Sequence, residues 1–146
     1  MQSTSPPDTE LAAQLRHAIA RTGRRLRQEA GTGLSPSLLM ALAVIDREGP
    51  LTPSELAVRE RVQRPTVTRI LARLEAAGLV GRAADPADGR SSLVSATADG
   101  RALIAASRTR KDAFLSARLD GLGPEDRATL ARAAALLERM LEDPGA

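Results

Sequence analysis

Residues 64–78 read RPTVTRILARLEAAG, and this stretch decides the fold. Val67, Ile70, Leu71 and Leu74 recur at the spacing of one helical face. The opposite face carries Pro65, Thr68, Arg69, Ala72, Arg73 and Ala76, with Thr66 on its flank and no acid among them. Gly78 is a C-terminal stop, so the pattern predicts a helix over 64–77. Two arginines one turn apart, with small residues between them, suit a helix lying deep in a DNA major groove. Arginine donates two bonds to guanine, and threonine meets a thymine methyl or a phosphate.

The flanking sequence supports that reading. Just upstream, residues 52–55 read TPSE, a capping box with Pro53 at the first helical position, which predicts a short helix over 53–59. A tight break, ERVQ at 60–63, separates the two helices. Downstream, 79–83 and 93–96 read as short strands joined by ADPADGRSS, in which Asp-Pro and Asp-Gly are turn signals. Short helix, tight turn, helix and hairpin make a winged helix-turn-helix. The hairpin tip offers Arg90 to a neighbouring minor groove, where narrow A/T-rich DNA attracts arginine. Gln63 and the amides of the helix N-terminus are placed to hold phosphate.

Further out, Leu11, Leu15, Ile19, Thr22 and Leu26 form a stripe on a first helix over 8–29. A second helix follows Ser35, with Pro36 at its first position and Leu38, Ala41, Leu42 and Ile45 as its buried face. Thr97 caps a fifth helix to about residue 119, its stripe interrupted by Arg108, Arg110 and Lys111. A sixth, to about residue 141, aligns Leu130, Ala134, Leu137 and Leu141. The expected fold class is mainly α with a small β-hairpin. A winged core over 35–97 is flanked by helices at 9–30 and 98–142, all in one domain over 9–146, with residues 1–8 a disordered lead. The winged core has its own interior, so the flanking stripes need another partner. A symmetry mate is the economical one, and it would also set two reading helices about one DNA turn apart.

Composition removes most other classes. The chain has 146 residues and no cysteine, which excludes disulfides, thiolate metal sites and thiol redox sensing. Its one histidine, His17, makes a zinc site or histidine-dependent triad untenable. The carboxylates are scattered and there is no phosphate-cradling glycine loop. We therefore expect no enzyme activity, no cofactor and no metal. The net charge is +3, from 21 basic and 18 acidic residues, and only Lys111 among the basic ones is not arginine. So small a surplus points to local basic patches. The longest uncharged run, 30–45, contains Gly, Ser and Pro and falls short of the roughly 20 apolar residues of a membrane span. The N-terminus has neither a basic region nor an apolar stretch, so the expected location is the cytoplasm, with no membrane partner.

At this level of detail the chain resembles the MarR (multiple antibiotic resistance regulator) family. The resemblance is carried by TPSELA (52–57), PTVTRILARLEAAGLV (65–80) and DPADGRSSLVSAT (85–97), and the flanking helices also fall where the family has them. It implies a homodimer that binds a pseudo-palindromic operator in double-stranded DNA and usually represses transcription. By analogy Thr66, Thr68, Arg69 and Arg73 read the major groove, with Gln63, Arg64 and Pro65 at the helix start. Arg82, Asp88, Arg90, Ser91 and Ser92 form the wing contact, the arginine entering the minor groove and Asp88 holding it. Gln63 and Pro65 depart from the family pattern, where many relatives cap this helix with serine.

Many relatives bind small phenolic or aromatic acids in a crevice between their dimer and DNA-binding parts. This chain has a single aromatic residue, Phe114, but its arginines could hold a carboxylate. Arg16, His17 and Arg21, in a stretch free of acid between Glu10 and Glu29, are the candidates for a small anionic effector. A solvated or dimer-bridging face is the plainer account of them. Two other functions fit parts of the pattern. One is sequence-nonspecific DNA architecture, and the other is a helical protein–protein adaptor that uses the winged fold without DNA.

Overall fold

The computed structural model describes residues 8–142. The described residues form α1 (Asp8–Ala30), α2 (Pro36–Glu48), α3 (Pro53–Glu60), α4 (Arg64–Ala76), β1 (Val80–Ala84), β2 (Ser92–Ala96), α5 (Ala98–Leu119) and α6 (Pro124–Leu141). The lead expected over 1–8 lies outside them except for Asp8, which opens α1. The fold class is as expected: helical, with a two-stranded antiparallel hairpin. The chain falls into two compact units, one ending at Lys111 and the other beginning at Asp112.

In the first unit each turn is set by local chemistry. Ser35 caps α2, its hydroxyl accepting from the Leu38 amide at 3.4 Å. Thr52 and Glu55 complete the capping box of α3, with bonds of 3.1 and 3.0 Å. Arg61 then turns the chain in the left-handed region, φ 53°, a conformation that costs a non-glycine residue of order 1 kcal/mol. Hydrogen bonds from the Arg61 amide to the Val58 carbonyl and from the Val62 amide to the Ala57 carbonyl close that turn. α4 leaves it with Val67, Ile70, Leu71 and Leu74 all buried, the face the sequence predicts.

Leu42 and Ile45 of α2, Leu56 of α3, Val67, Leu71 and Leu74 of α4, and Val94 of β2 form the fully buried centre. On α2 the buried face includes Leu39, and Leu38 is only half-buried. Residues 38–45 are apolar throughout, so periodicity alone could not choose between them. The strands sit one residue from their expected start and pair Val80 with Ala96, Arg82 with Val94 and Ala84 with Ser92. Leu51 adds an isolated bridge, exchanging backbone hydrogen bonds with Val94 at 3.0 and 2.7 Å and stitching the α2–α3 connection to the wing.

The root of the wing is fastened to the end of α4 and the start of α5. The Thr97 hydroxyl donates to the Gly78 carbonyl at 2.6 Å and accepts from the Gly100 amide at 3.1 Å. The Thr97 amide donates to the Leu79 carbonyl at 3.0 Å. Gly100 is buried against this joint. Arg110, further along α5, donates to the Ala30 carbonyl at 2.6 Å and so caps the end of α1.

In the second unit, residues 112–119 of α5 lead through a turn to α6. The Arg118 guanidinium lies 3.6 Å from the centroid of the Phe114 ring. No residue of α6 is buried, and Leu130, Leu136, Met140 and Leu141 are exposed. On α1 the stripe residues Leu11 and Ile19 are exposed as well. No described helix is long and apolar enough to cross a membrane.

Candidate nucleic-acid interface

The outward face of α4 is built by the burial of its other side. With Val67, Ile70, Leu71 and Leu74 fixed in the core, Arg69 and Arg73 must project away from it, and both are exposed. Neither guanidinium has a hydrogen bond or ion pair with any other described residue. Beside them runs a cleft of about 510 Å³ between α4 and the start of α2, lined in part by Ser35, Ser37, Thr66, Arg69 and Arg73. Ser37 was not among the residues the sequence singled out. Its position on the first turn of a neighbouring helix is visible only in three dimensions.

The start of α4 differs from that of α3. Gln63 occupies the cap position but makes no side-chain cap bond. Pro65 has no amide hydrogen, and the Thr66 and Val67 amides already donate to the Gln63 carbonyl at 3.0 and 3.2 Å. The Arg64 amide is left with no acceptor among the described residues. The expectation of several phosphate-binding amides therefore narrows to that one group. The Arg64 guanidinium is tied back to the Ser54 hydroxyl on α3. The Thr68 hydroxyl donates to the Arg64 carbonyl at 3.1 Å, so what Thr68 has left to offer a base edge is chiefly its methyl group.

At the wing tip two aspartates shape the turn. Asp85 accepts from the Ala87 amide at 2.9 Å, and Asp88 accepts from the Arg90 amide at 3.0 Å. The Asp88 carbonyl also takes the Ser91 amide at 3.0 Å. Asp88 thus holds Arg90 by its backbone and leaves the guanidinium exposed, with no partner among the described residues. Ser91 and Ser92 are half-buried at the return of the turn. Arg82 is engaged elsewhere: its Nε donates to Glu75 at the far end of α4.

From Arg47 to Arg110 the arginines therefore divide into two groups. Arg59 pairs with Glu48, Arg82 with Glu75 and Arg108 with Asp46, while Arg101 and Arg110 cap main-chain carbonyls. Arg69, Arg73 and Arg90 have no such engagement and lie where the reading helix and the wing project. Arg16, His17 and Arg21 are exposed along α1 and take no part in the cleft beside α4. One carboxylate in the turn region, Glu60, is partly withdrawn from water. Burial raises the Glu60 carboxyl from its ordinary value, partly opposed by the charge of Arg47. No cluster of acids and histidines that could hold a metal occurs among the described residues.

The model for the MarR family matches residues 32–91, which span α2 to the wing tip. An uncharacterized HTH-type transcriptional regulator, Mb0904 of Mycobacterium bovis, is 39% identical over 137 residues, covering 93% of this chain and 96% of the relative. The crystal structure of a Pseudomonas aeruginosa PA01 protein superposes with a TM-score of 0.84 at 36% identity, over 94% of this chain and 99% of that one. Streptococcus pneumoniae FabT, solved in complex with DNA, has the same fold at a TM-score of 0.69 and 24% identity, over 93% and 95% of the two chains.

Proposed function

The chain belongs to the MarR family of transcriptional regulators, not enzymes, and on that premise we propose that it binds a pseudo-palindromic operator as a homodimer and represses transcription in the cytoplasm. The observation that carries this reading is that the guanidinium groups of Arg69, Arg73 and Arg90 have no partner among the described residues. Neighbouring arginines are consumed by the fold, and these three are held outward by a buried helix face and an aspartate-shaped turn. Arg69 and Arg73 would donate to guanine edges in the major groove, with Thr66 and the Thr68 methyl beside them. Arg90 would enter the flanking minor groove. The FabT complex supports DNA as the partner.

Dimerisation is supported by the exposed leucines and methionine of α6 and by the exposed stripe residues of α1, which a single chain leaves in water. A second copy would cover them and set the two reading helices at the repeat of B-form DNA.

Selection of bound duplexes from a random pool with purified protein tests this directly. The expected product is an inverted repeat, bound with an affinity that falls steeply with salt as counterions are released. Equal binding to scrambled duplex at moderate salt would favour an architectural role. No salt-sensitive binding to any duplex would favour a protein–protein adaptor. Sedimentation that finds a monomer at micromolar concentration would remove the dimer.

A further inference from the structure

Glu75 is the sole carboxylate of α4, and it lies on the flank of the face that carries Thr68 and Arg69. An unmatched acid there would repel a phosphate backbone. Its partner, Arg82, comes from β1, and both side chains are 36% exposed. Exposed pairs of this kind add little to stability, so the fold does not depend on the contact.

The wing, however, has few other ties to the reading helix. Val80 is the only buried residue of β1, and the four that follow it are exposed. The Leu79 amide on the Leu74 carbonyl, at 2.9 Å, and the Thr97 hydroxyl on Gly78 fix the root, and the Leu51–Val94 bridge ties β2 to the α2–α3 connection, not to α4. A two-stranded ribbon is marginal by itself. Arg82 pairs across the hairpin with Val94, and cross-strand partners share a face. Val94 is buried, so the Arg82 stem lies on the side of the wing that faces the core, away from its outer surface.

We propose that the Glu75–Arg82 pair is a positioning strut. It sets the angle at which the wing leaves α4, and hence the separation between Arg69 and Arg73 in one groove and Arg90 in the next. It also neutralises the one acid on the reading helix. Arg82 itself does not touch DNA. This inference rests on the operator-binding reading above.

The test is a double-mutant cycle of Glu75→Gln, Arg82→Gln and the pair together. It is measured on the duplex recovered by selection, across a range of salt concentrations, with melting temperatures as a control on folding. A strut predicts that each single change weakens operator binding about tenfold and that the double change is no worse than either. The salt dependence of binding stays that of the parent. If Arg82 instead held a phosphate, its loss would reduce the salt slope by about one, and Glu75→Gln would tighten binding by removing a repulsive charge. Either result overturns the strut, as do strictly additive losses or three variants that bind like the parent. Parent protein that fails to distinguish the selected duplex from a scrambled one would overturn the regulator reading and the strut together. Parent protein that does distinguish them isolates the fault to the strut.

Discussion

Replacing Gly100 with alanine sets two known effects against each other. Glycine in a helix is less favourable than alanine by about 0.5–1 kcal/mol, so propensity alone predicts a more stable protein. The joint predicts the reverse. A Cβ at Gly100 would overlap the Leu79 carbonyl oxygen, come within 3.1 Å of its carbon and press on Leu42 Cδ1 at 3.3 Å. The oxygen belongs to backbone that also accepts the Thr97 amide, so it cannot swing aside as a side chain would. Overpacking of this kind costs about 1–3 kcal/mol. The clash wins, and Gly100→Ala should lose about 1–2 kcal/mol net, a fall of about 2–8 °C in melting temperature. Gly81→Ala is the matched control, since a Cβ there meets nothing within 4 Å. Its melting temperature should be unchanged or slightly raised. Thermal unfolding followed by circular dichroism reads both. A Gly100→Ala protein that melts at or above the parent temperature would refute the account of the joint.

Arg69→Ala should cost about 1–3 kcal/mol of operator affinity, roughly 5- to 150-fold, and relax preference at one base pair while leaving the melt unchanged. Binding to a panel of singly substituted duplexes checks it, and a uniform loss would mean that Arg69 touches only phosphate. Arg90→Ala should chiefly abolish preference for narrow A/T-rich flanks, and identical flank preference in parent and variant would remove the minor-groove role. Burial raises the Glu60 carboxyl, so its ionised form is disfavoured in the folded state. The penalty is absent well below the unfolded value and develops as pH rises through it. Glu60→Gln should therefore raise the melting temperature at about pH 7, with the gain vanishing towards about pH 4. A gain that grew on acidification would contradict that assignment.

How much of this could be read from sequence depended on whether the deciding signal was local. The face of α4 was legible because apolar and polar residues alternate at helical spacing from Val67 to Leu74. The start of α3 was legible because a capping box lies within four residues. The buried choice of Leu39 over Leu38 was not, because every neighbour from 38 to 45 is also apolar. The bridge at Leu51 was invisible, since one residue between Pro50 and Thr52 carries no period. The arginines illustrate the limit best. Arg64, Arg69, Arg82 and Arg90 look alike as letters, and the sequence grouped them all as DNA contacts. Folding brings Ser54 to Arg64 and Glu75 to Arg82 but, among the described residues, no partner to the other two. That division is set by tertiary proximity, which no short motif records.

The unequal caps of α3 and α4 have a consequence for motion. α3 opens with both ends of its capping box closed, whereas α4 opens on a glutamine whose side chain does nothing for the first turn. Helix ends without caps fray first and exchange their amide hydrogens soonest. The Arg64 amide should therefore be among the fastest-exchanging in the helix-turn-helix when the protein is free. An anion seated over it would slow that exchange sharply, so a single backbone hydrogen should report occupancy of the groove.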